Sequence, residues 1–423
     1  MLVRKGRDFA ECAAKREAAR ENWHDGDAYS PSVPEVPVPT PLEASRIPAQ
    51  IATHLPHLTR PQQRGLADWV RGVLLAGTGC QPRVATALAA ATHAPVATVQ
   101  QRLREWLRDG ADKACPGAAQ IELAPCFAAL LRWIVAWWPP TEPLPLALDA
   151  TLHHDQLAAI VLSVCYRGTA LPIAWAIGPA NRRTFGWKEP TQQLFAALQG
   201  VVSAERLVLV TADRGFWSPA LWETVCALGW HPLFRVRPDA TFCPTGGQRV
   251  RAQTLVQPGE AWCGEGLLYR HRATRRAVTL VAGWAADARE PWLLATDLPP
   301  DAVTPAWYRV RMGIEASFAC LKSRGWEWER TRRRAPERVA RHWLVLAIAL
   351  LLSVAVGTWQ DAADSTSLPR PATRARSLFQ QGRAWLQRQL IRQRALPLRL
   401  SLTPEPWPTD VPGVVATAAD PAP

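Results

Sequence analysis

Three kinds of sequence feature are missing, and each absence argues against a class of protein. The nine cysteines include no C-x2-C or C-x4-C pair, so no zinc ribbon is predicted, and scattered thiols fit a reducing cytoplasm better than a disulfide framework. The first residues, Met1 to Lys5, lead into a polar and charged run rather than an apolar segment, so no signal peptide is predicted. No Walker-type or G-x-G-x-x-G loop occurs, which argues against a nucleotide cofactor.

Lysine is also scarce. The chain has five lysines among 49 basic residues, and its formal net charge is +13, so arginine carries nearly all of the positive charge. A strongly basic chain favours a polyanionic partner, although genome base composition can produce the same arginine bias. The charge therefore favours nucleic acid without identifying it.

The length of 423 residues allows two or three domains. We predict an N-terminal extension with a Pro-rich linker, a helical DNA-binding domain, an α/β catalytic domain with a β-rich insertion at about 239–300, and an Arg-rich then Pro-rich tail. The predicted bounds are 1–45, 46–140, 141–360 and 361–423.

Residues 47–138 have helical periodicity throughout. The predicted helices are Pro61–Leu75, Pro82–Thr92, Val96–Leu107 and Ala124–Trp138. The short turn His93-Ala94-Pro95 would make the middle pair a helix-turn-helix, whose second helix displays Gln100, Gln101, Arg102 and Arg104. An ordinary helical bundle gives the same pattern, so both interpretations stay open.

Two apolar runs each end in an aspartate where a buried strand is expected. The run from Leu144 ends in Asp149, and the run from Leu207 ends in Asp213. Asp is rare in strands and costly to bury without a partner, so a metal site would account for both acids.

The stretch Trp307–Lys322 contains no proline after Thr304-Pro305 and is predicted to be one helix. At 100° per residue, its four functional side chains fall within about 60° of one another. They are Tyr308, Arg311, Glu315 and Lys322. A solvated helix face can show charges at the same spacing, with Arg311 and Glu315 as an ordinary pair.

The acids and this spacing together resemble the DDE transposases of bacterial insertion sequences, in the branch defined by a Tyr-Arg-Glu-Lys signature. The resemblance rests on Asp149, Asp213, Glu315, the run Tyr308-x2-Arg311-x3-Glu315-x6-Lys322 and the turn Asp213-Arg214-Gly215-Phe216. It covers the chain from about Leu144 to about Trp359, roughly half of its length.

The resemblance implies a ribonuclease H-like core, for which the strand and helix patterns predict the order β-β-β-α-β-α-β. In such a sheet the first and fourth strands are neighbours, which would bring Asp149 and Asp213 together. It also implies cut-and-paste transposition at inverted-repeat ends by a DNA-pairing dimer in the bacterial cytoplasm, associated with the nucleoid.

Cleaving and rejoining a phosphodiester requires neutralisation of phosphoryl charge, which two divalent ions held by carboxylates can provide. The three acids suit two Mg²⁺ ions, with Mn²⁺ as a substitute. The resemblance implies that Tyr308, Arg311 and Lys322 contact DNA near the cleaved end. The following run is either a solvated face or a phosphate track, with Arg324, Arg330, Arg332 and Arg333 as its DNA-binding residues.

Other interpretations remain. The chain could be an inactive or domesticated transposase that only binds DNA, or a ribonuclease H-like nuclease that cuts without joining strands. The apolar stretch Trp343–Trp359 could span a bilayer, but a core helix fits better and we expect no membrane contact. A glycoside hydrolase has little support, because that class of enzyme needs no basic face. A metal site at His153-His154-Asp155 also has little support, because adjacent residues of a strand point to opposite faces of the sheet.

Overall fold

The computed structural model describes residues 47–115, 117–153, 156–180, 186–364, 376–394, 396, 400–408 and 415–416. The predicted N-terminal extension lies outside these residues, as does much of the C-terminal tail. All described residues belong to one compact unit, Leu42–Pro423. The domain bounds given above stay predictions.

The first part of the described chain is helical. Its helices are α1 (Ile47–His54), α2 (Arg60–Ala76), α3 (Gln81–Thr92), α4 (Val96–Leu107) and α5 (Leu123–Trp137). A capping box at Thr59 begins α2, and Gly77 ends it in the left-handed conformation with φ 66°. His93 takes a similar conformation, with φ 53°, and makes the sharp turn between α3 and α4. The predicted helices and the predicted turn are therefore present.

A mixed sheet forms the centre of the molecule. Its strands are β1 (Leu144–His153), β2 (Leu157–Tyr166), β3 (Thr169–Pro179), β4 (Val208–Ala212), β5 (His231–Arg235), β6 (Thr241–Pro244), β7 (Val250–Arg251), β8 (Glu260–Leu268), β9 (Arg276–Gly283), β10 (Trp292–Thr296) and β11 (Val415–Ala416). They lie in the order β3-β2-β1-β4-β5-β10-β9-β8-β6-β7, and β11 pairs with β8.

The first five strands have the predicted arrangement. β1, β2 and β3 form an antiparallel meander, while β4 pairs parallel to β1, and β5 parallel to β4. Helix α6 (Lys188–Ala196) precedes β4, and α7 (Pro219–Ala227) connects β4 to β5. β4 is buried at every position, as its continuous apolar sequence requires in a sheet covered on both faces. This mixed α/β architecture fits a ribonuclease H-like fold.

The segment predicted as a β-rich insertion continues the same sheet. β10 pairs antiparallel with β5 on one side and with β9 on the other, and β8 and β6 follow outward. The sequence predicts the strand-like pieces but not this continuity, because an antiparallel partner far along the chain leaves no local signal.

Three helices complete the fold: α8 (Gly313–Leu321), α9 (Pro336–Asp364) and α10 (Leu378–Ile391). Among the described residues, α9 is the one helix long and apolar enough to cross a membrane, and its apolar window is entirely buried inside the protein. It packs against β3, α2 and α10. The stretch Trp343–Trp359 is therefore a core helix, as predicted.

His342 on α9 is buried and gives a stability prediction. Its ring lies 5.1 Å from the ring of Trp69, and neither ring nitrogen has a hydrogen-bond partner among the described residues. Burial, and then the charge of Arg333, hold the pKa of His342 well below its usual 6.5. The unfolded chain thus takes up a proton near that pH, whereas the folded protein does not.

We expect His342 to leave the free energy of unfolding unchanged above pH 6.5. As the pH decreases below 6.5, the free energy of unfolding should decrease by up to about 1.4 kcal/mol per pH unit because of this group. Urea denaturation from pH 8 to 5 measures the slope. His342→Leu should flatten it, leaving the smaller contributions of His54 and His57, whose pKa values burial also lowers. The exposed His271→Gln is the control, and an unchanged slope in His342→Leu would contradict the assignment.

Candidate active site

Two of the predicted acids stand side by side on neighbouring strands, with Asp149 inside β1 and Asp213 directly after β4. Leu148 of β1 pairs with Ala212 of β4 in a parallel register, so Asp149 and Asp213 occupy the next position on strands about 4.8 Å apart. Asp149 is 7 % exposed. Asp213 caps a short 3₁₀ turn, Arg214–Phe216, through its Oδ1, which accepts a hydrogen bond of 2.8 Å from the Arg214 amide.

The third acid arrives on a segment that differs from its prediction. Trp307–Lys322 is not one α-helix: Pro305–Met312 is a 3₁₀ helix, and α8 follows from Gly313 to Leu321. The Thr304 hydroxyl accepts from the Ala306 amide and begins the 3₁₀ helix. Glu315 lies in the first turn of α8. The prediction of one continuous helix is therefore wrong, although Pro305–Leu321 is helical throughout.

The 3₁₀ geometry places Tyr308 and Arg311 above one another, because residues i and i+3 eclipse in such a helix. The guanidinium carbon of Arg311 lies 5.8 Å from the centre of the Tyr308 ring. Tyr308 is 2 % exposed, its hydroxyl donates to the Ala212 carbonyl at 3.4 Å, and its ring packs against Trp292 at 5.5 Å. Burial raises the pKa of Tyr308 to about 12. In this state Tyr308 is a buried group that braces the end of β4.

Arg311 lies where the acids meet. Its Nη2 is 2.8 Å from Oδ2 of Asp149, and its side chain is only 3 % exposed. Burial lowers the pKa of Arg311, but the surrounding groups outweigh burial and raise it above its usual value. In order of size these groups are Asp149, Tyr308, Asp213 and Glu315. All three predicted acids therefore act on one buried guanidinium, which the sequence places on a solvated or DNA-facing surface.

Lys322 lies just past the end of α8, at its C-cap. Its Nζ donates to the Leu152 carbonyl at 2.6 Å and is 3.3 Å from Oε1 of Glu329. Leu152 is three residues beyond Asp149 on β1, so Lys322 ties the end of α8 to the strand that carries the first acid. The α-helix thus ends one residue before Lys322, which the sequence places inside it.

The predicted phosphate track is divided. Arg324, Arg330 and Arg332 are exposed, and Arg330 pairs with Glu327 at 2.7 Å. Arg333 instead turns inward, where its Nη2 donates to Gln81 at 2.6 Å, and burial lowers its pKa to about 10. This contact anchors the segment to α3, and the DNA contact of Arg333 stays a prediction.

A close backbone contact explains why α8 begins at Gly313. A Cβ at this residue would lie 2.4 Å from the carbonyl oxygen of Thr169, the first residue of β3. The absence of a side chain thus lets α8 approach the meander and sets the depth of Glu315. This role is invisible in the sequence, because Thr169 is far away along the chain.

Gly313→Ala is expected to push α8 off the sheet, costing about 1–3 kcal/mol of stability. A displacement of about 1 Å near a reacting centre can lower a rate about 100-fold, so DNA cleavage should fall far more than DNA binding. Denaturation and cleavage rates measure the two effects. Gly186→Ala, where a Cβ meets nothing within 4 Å, is the control. Equal behaviour of the two variants would show that the close approach is unimportant.

The donor set suits a hard divalent cation, since it consists of three carboxylates. Within the described residues, however, no three His, Cys, Asp or Glu side chains are grouped closely enough to hold a metal ion. The geometry gives a reason, because Arg311 is bound to Asp149. The residues therefore fit Mg²⁺ in chemistry, and Arg311 holds Asp149. His153 takes no part, since its Nε2 contacts the Glu329 carbonyl at 3.0 Å.

Comparison with known families bears on this geometry. Residues 163–352 match the family model of the transposase DDE domain. The chain carries a transposase DDE domain. The match extends from β2 into α9, so it includes Asp213, Arg311 and Glu315, while Asp149 lies just before it. A search of curated proteins found no match.

The matched DDE domain indicates a transposase, an enzyme that cleaves DNA and transfers its strands. This confirms the DDE class and the enzyme class expected from the sequence, while the branch with the Tyr-Arg-Glu-Lys signature stays a prediction. Members of this class act on the DNA of transposon ends and use divalent metal ions.

Two charged residues at the edge of the DDE site escaped the sequence analysis. Arg235 ends β5, and Glu290 lies in the loop before β10. A signal existed for the first, since an arginine closes an otherwise apolar strand. None existed for Glu290, because the fold of the inserted strands decides its position.

Proposed function

We propose that this transposase moves its own insertion sequence by a cut-and-paste reaction, cleaving the inverted-repeat ends and joining them to target DNA. The observation that supports this best is the convergence of Asp149, Asp213 and Glu315 around Arg311. Asp149 and Asp213 come from neighbouring strands and Glu315 from α8, and all three lie close enough to act on one buried guanidinium. The arginine compensates their charge in the free protein.

In this proposal Asp149, Asp213 and Glu315 hold two Mg²⁺ ions, or Mn²⁺ in their place. Such ions supply an activated nucleophile and neutralise charge on the phosphoryl oxygens. Arg311 and Lys322 bind backbone phosphates near the cleaved end, because both guanidinium and ammonium groups pair with phosphate oxygens. Tyr308 packs near the terminal nucleotides once Arg311 has turned toward the DNA.

Duplex DNA would continue from the acids along the exposed arginines toward the helices. Arg330 and Arg332 line a groove of about 450 Å³ together with Arg83 and Gln100. Gln100 belongs to α4, whose exposed residues include Gln101, Arg102 and Arg104. This proximity supports the helix-turn-helix interpretation of α3 and α4, with Arg324 extending the phosphate track. The proposed working form is a cytoplasmic, nucleoid-associated dimer that pairs two transposon ends.

The test is incubation of purified protein with linear DNA carrying both element ends, in Mg²⁺, in Mn²⁺ or with a chelator. We expect cleaved ends and joined strands with either metal, and binding without cutting when the metal is removed. Cutting without joining would favour a simple nuclease. Binding without cutting in both metals would favour an inactive DNA-binding relative.

A further inference from the structure

A carboxylate bridges two arginines beside the acidic site. Glu290 places Oε1 2.7 Å from Nη2 of Arg235 and Oε2 3.3 Å from Nη1 of Arg214. The two guanidinium groups therefore face a common point that one anion occupies with both of its oxygens.

This triplet lies at the same edge of the sheet as the catalytic acids. Arg214 directly follows Asp213. Phe234 of β5 pairs with Ala212 of β4, so Arg235 is level with Asp213 on the neighbouring strand. Burial dominates the pKa of Tyr308, but Arg235 is also close enough to lower it. Both arginines thus flank the second acid on the side away from Asp149.

The exposure of the three side chains is uneven. Arg235 is 12 % exposed, Arg214 is 37 % exposed and Glu290 is the most accessible at 41 %. The Arg235 guanidinium is thus held by the protein, whereas Arg214 and Glu290 are both partly open to solvent. A partly exposed ion pair contributes little stability, so another anion can replace the carboxylate.

Two arginines with converging N–H groups recognise phosphate as well as carboxylate, because both anions offer two oxygens to a guanidinium fork. We propose that Arg214 and Arg235 form a clamp for one backbone phosphate of the DNA strand entering the acidic edge, and that Glu290 holds this clamp in the free protein. The proposal rests on the proposed function, since it assigns part of the DNA path at that site. Glu290 leaves when the phosphate arrives.

The test is fluorescence anisotropy with a short mixed-sequence duplex over a range of salt concentrations. Glu290→Gln keeps the shape but removes the competing charge, so we expect about tenfold tighter binding. Arg235→Ala should weaken binding about tenfold and reduce the slope of log affinity against log salt by about 0.9, the value for one lost phosphate contact. Arg235→Lys, which keeps a charge, should lie between wild type and Arg235→Ala.

Asp239→Asn is the matched control. Asp239 forms a surface ion pair with Arg237 at 3.0 Å, so this substitution also removes one negative charge that pairs with an arginine. If Glu290→Gln and Asp239→Asn increase the affinity for the duplex equally, the effect comes from net charge alone, and the clamp proposal is overturned. Unchanged or weaker binding by Glu290→Gln would also overturn it, and this variant decides the matter even if Arg235→Ala does not fold. Wild-type protein that binds no duplex would instead overturn the proposed function together with the clamp.

Discussion

Asp213→Asn and Glu315→Gln are each expected to lower the rate of DNA cleavage about 1000-fold or more, which corresponds to about 4 kcal/mol in the activation barrier. Each amide has the shape of the acid it replaces but carries no charge, so it cannot contribute to holding divalent cations against phosphate. Both acids act on the same buried guanidinium of Arg311, which places them at one site. Single-turnover cleavage of element ends in Mg²⁺ measures the loss.

Binding should separate this effect from misfolding. Since each substitution removes a negative charge beside the DNA path, both variants should bind element ends at least as tightly as wild type. Asp239→Asn, which removes a surface carboxylate instead, should cut at the wild-type rate. If Asp213→Asn or Glu315→Gln cleaves DNA at nearly the wild-type rate, the substituted acid is not part of the catalytic site.

Arg311→Gln is expected to destabilise the protein by about 3–5 kcal/mol, because it leaves a buried carboxylate without its partner. The neighbouring acids add to the loss, since Asp213 and Glu315 also lie within reach of the guanidinium. Asp149→Asn should cost less, because Arg311 keeps those two acids. Urea denaturation without metal measures both values, and a larger loss in Asp149→Asn would contradict this account of the charges.

The double variant Asp149→Asn/Arg311→Gln should lose less free energy of unfolding than the sum of the two single variants, since residues in direct contact are energetically coupled.

Magnesium provides a second readout. If Arg311 holds Asp149 in place of a cation, Mg²⁺ should raise the Tm of Arg311→Gln more than that of wild type, because binding to the folded state stabilises by mass action. Equal shifts would show that the arginine does not compete with the metal.

The local sequence was sufficient to predict most of the secondary structure. Apolar runs ending in Asp149 and Asp213 predicted strands, whereas the expectation that these two strands are neighbours came from the resemblance to a ribonuclease H-like core. The helices before β1 followed from their periodicity and caps. Such features depend on residues within a few positions of one another, so sequence alone reveals them.

The tertiary structure decided how the third acid reaches the others. Gly313 must approach the Thr169 carbonyl, and the chain changes there from a 3₁₀ to an α-helix. Tyr308 and Arg311 therefore lie on the 3₁₀ helix, whereas Glu315 lies on α8. Helical periodicity could not show it, because the constraint comes from β3.

Charge pairing was also decided by tertiary structure. The sequence by itself determined that acids and arginines are abundant here, and the family resemblance predicted that three of the acids act together. It did not determine that Arg311 binds Asp149, that Arg333 turns toward Gln81, or that Glu290 reaches Arg214 and Arg235. The physical reason is that an arginine pairs with whichever acid the packed strands and helices bring within about 4 Å, and burial then makes that choice costly to reverse.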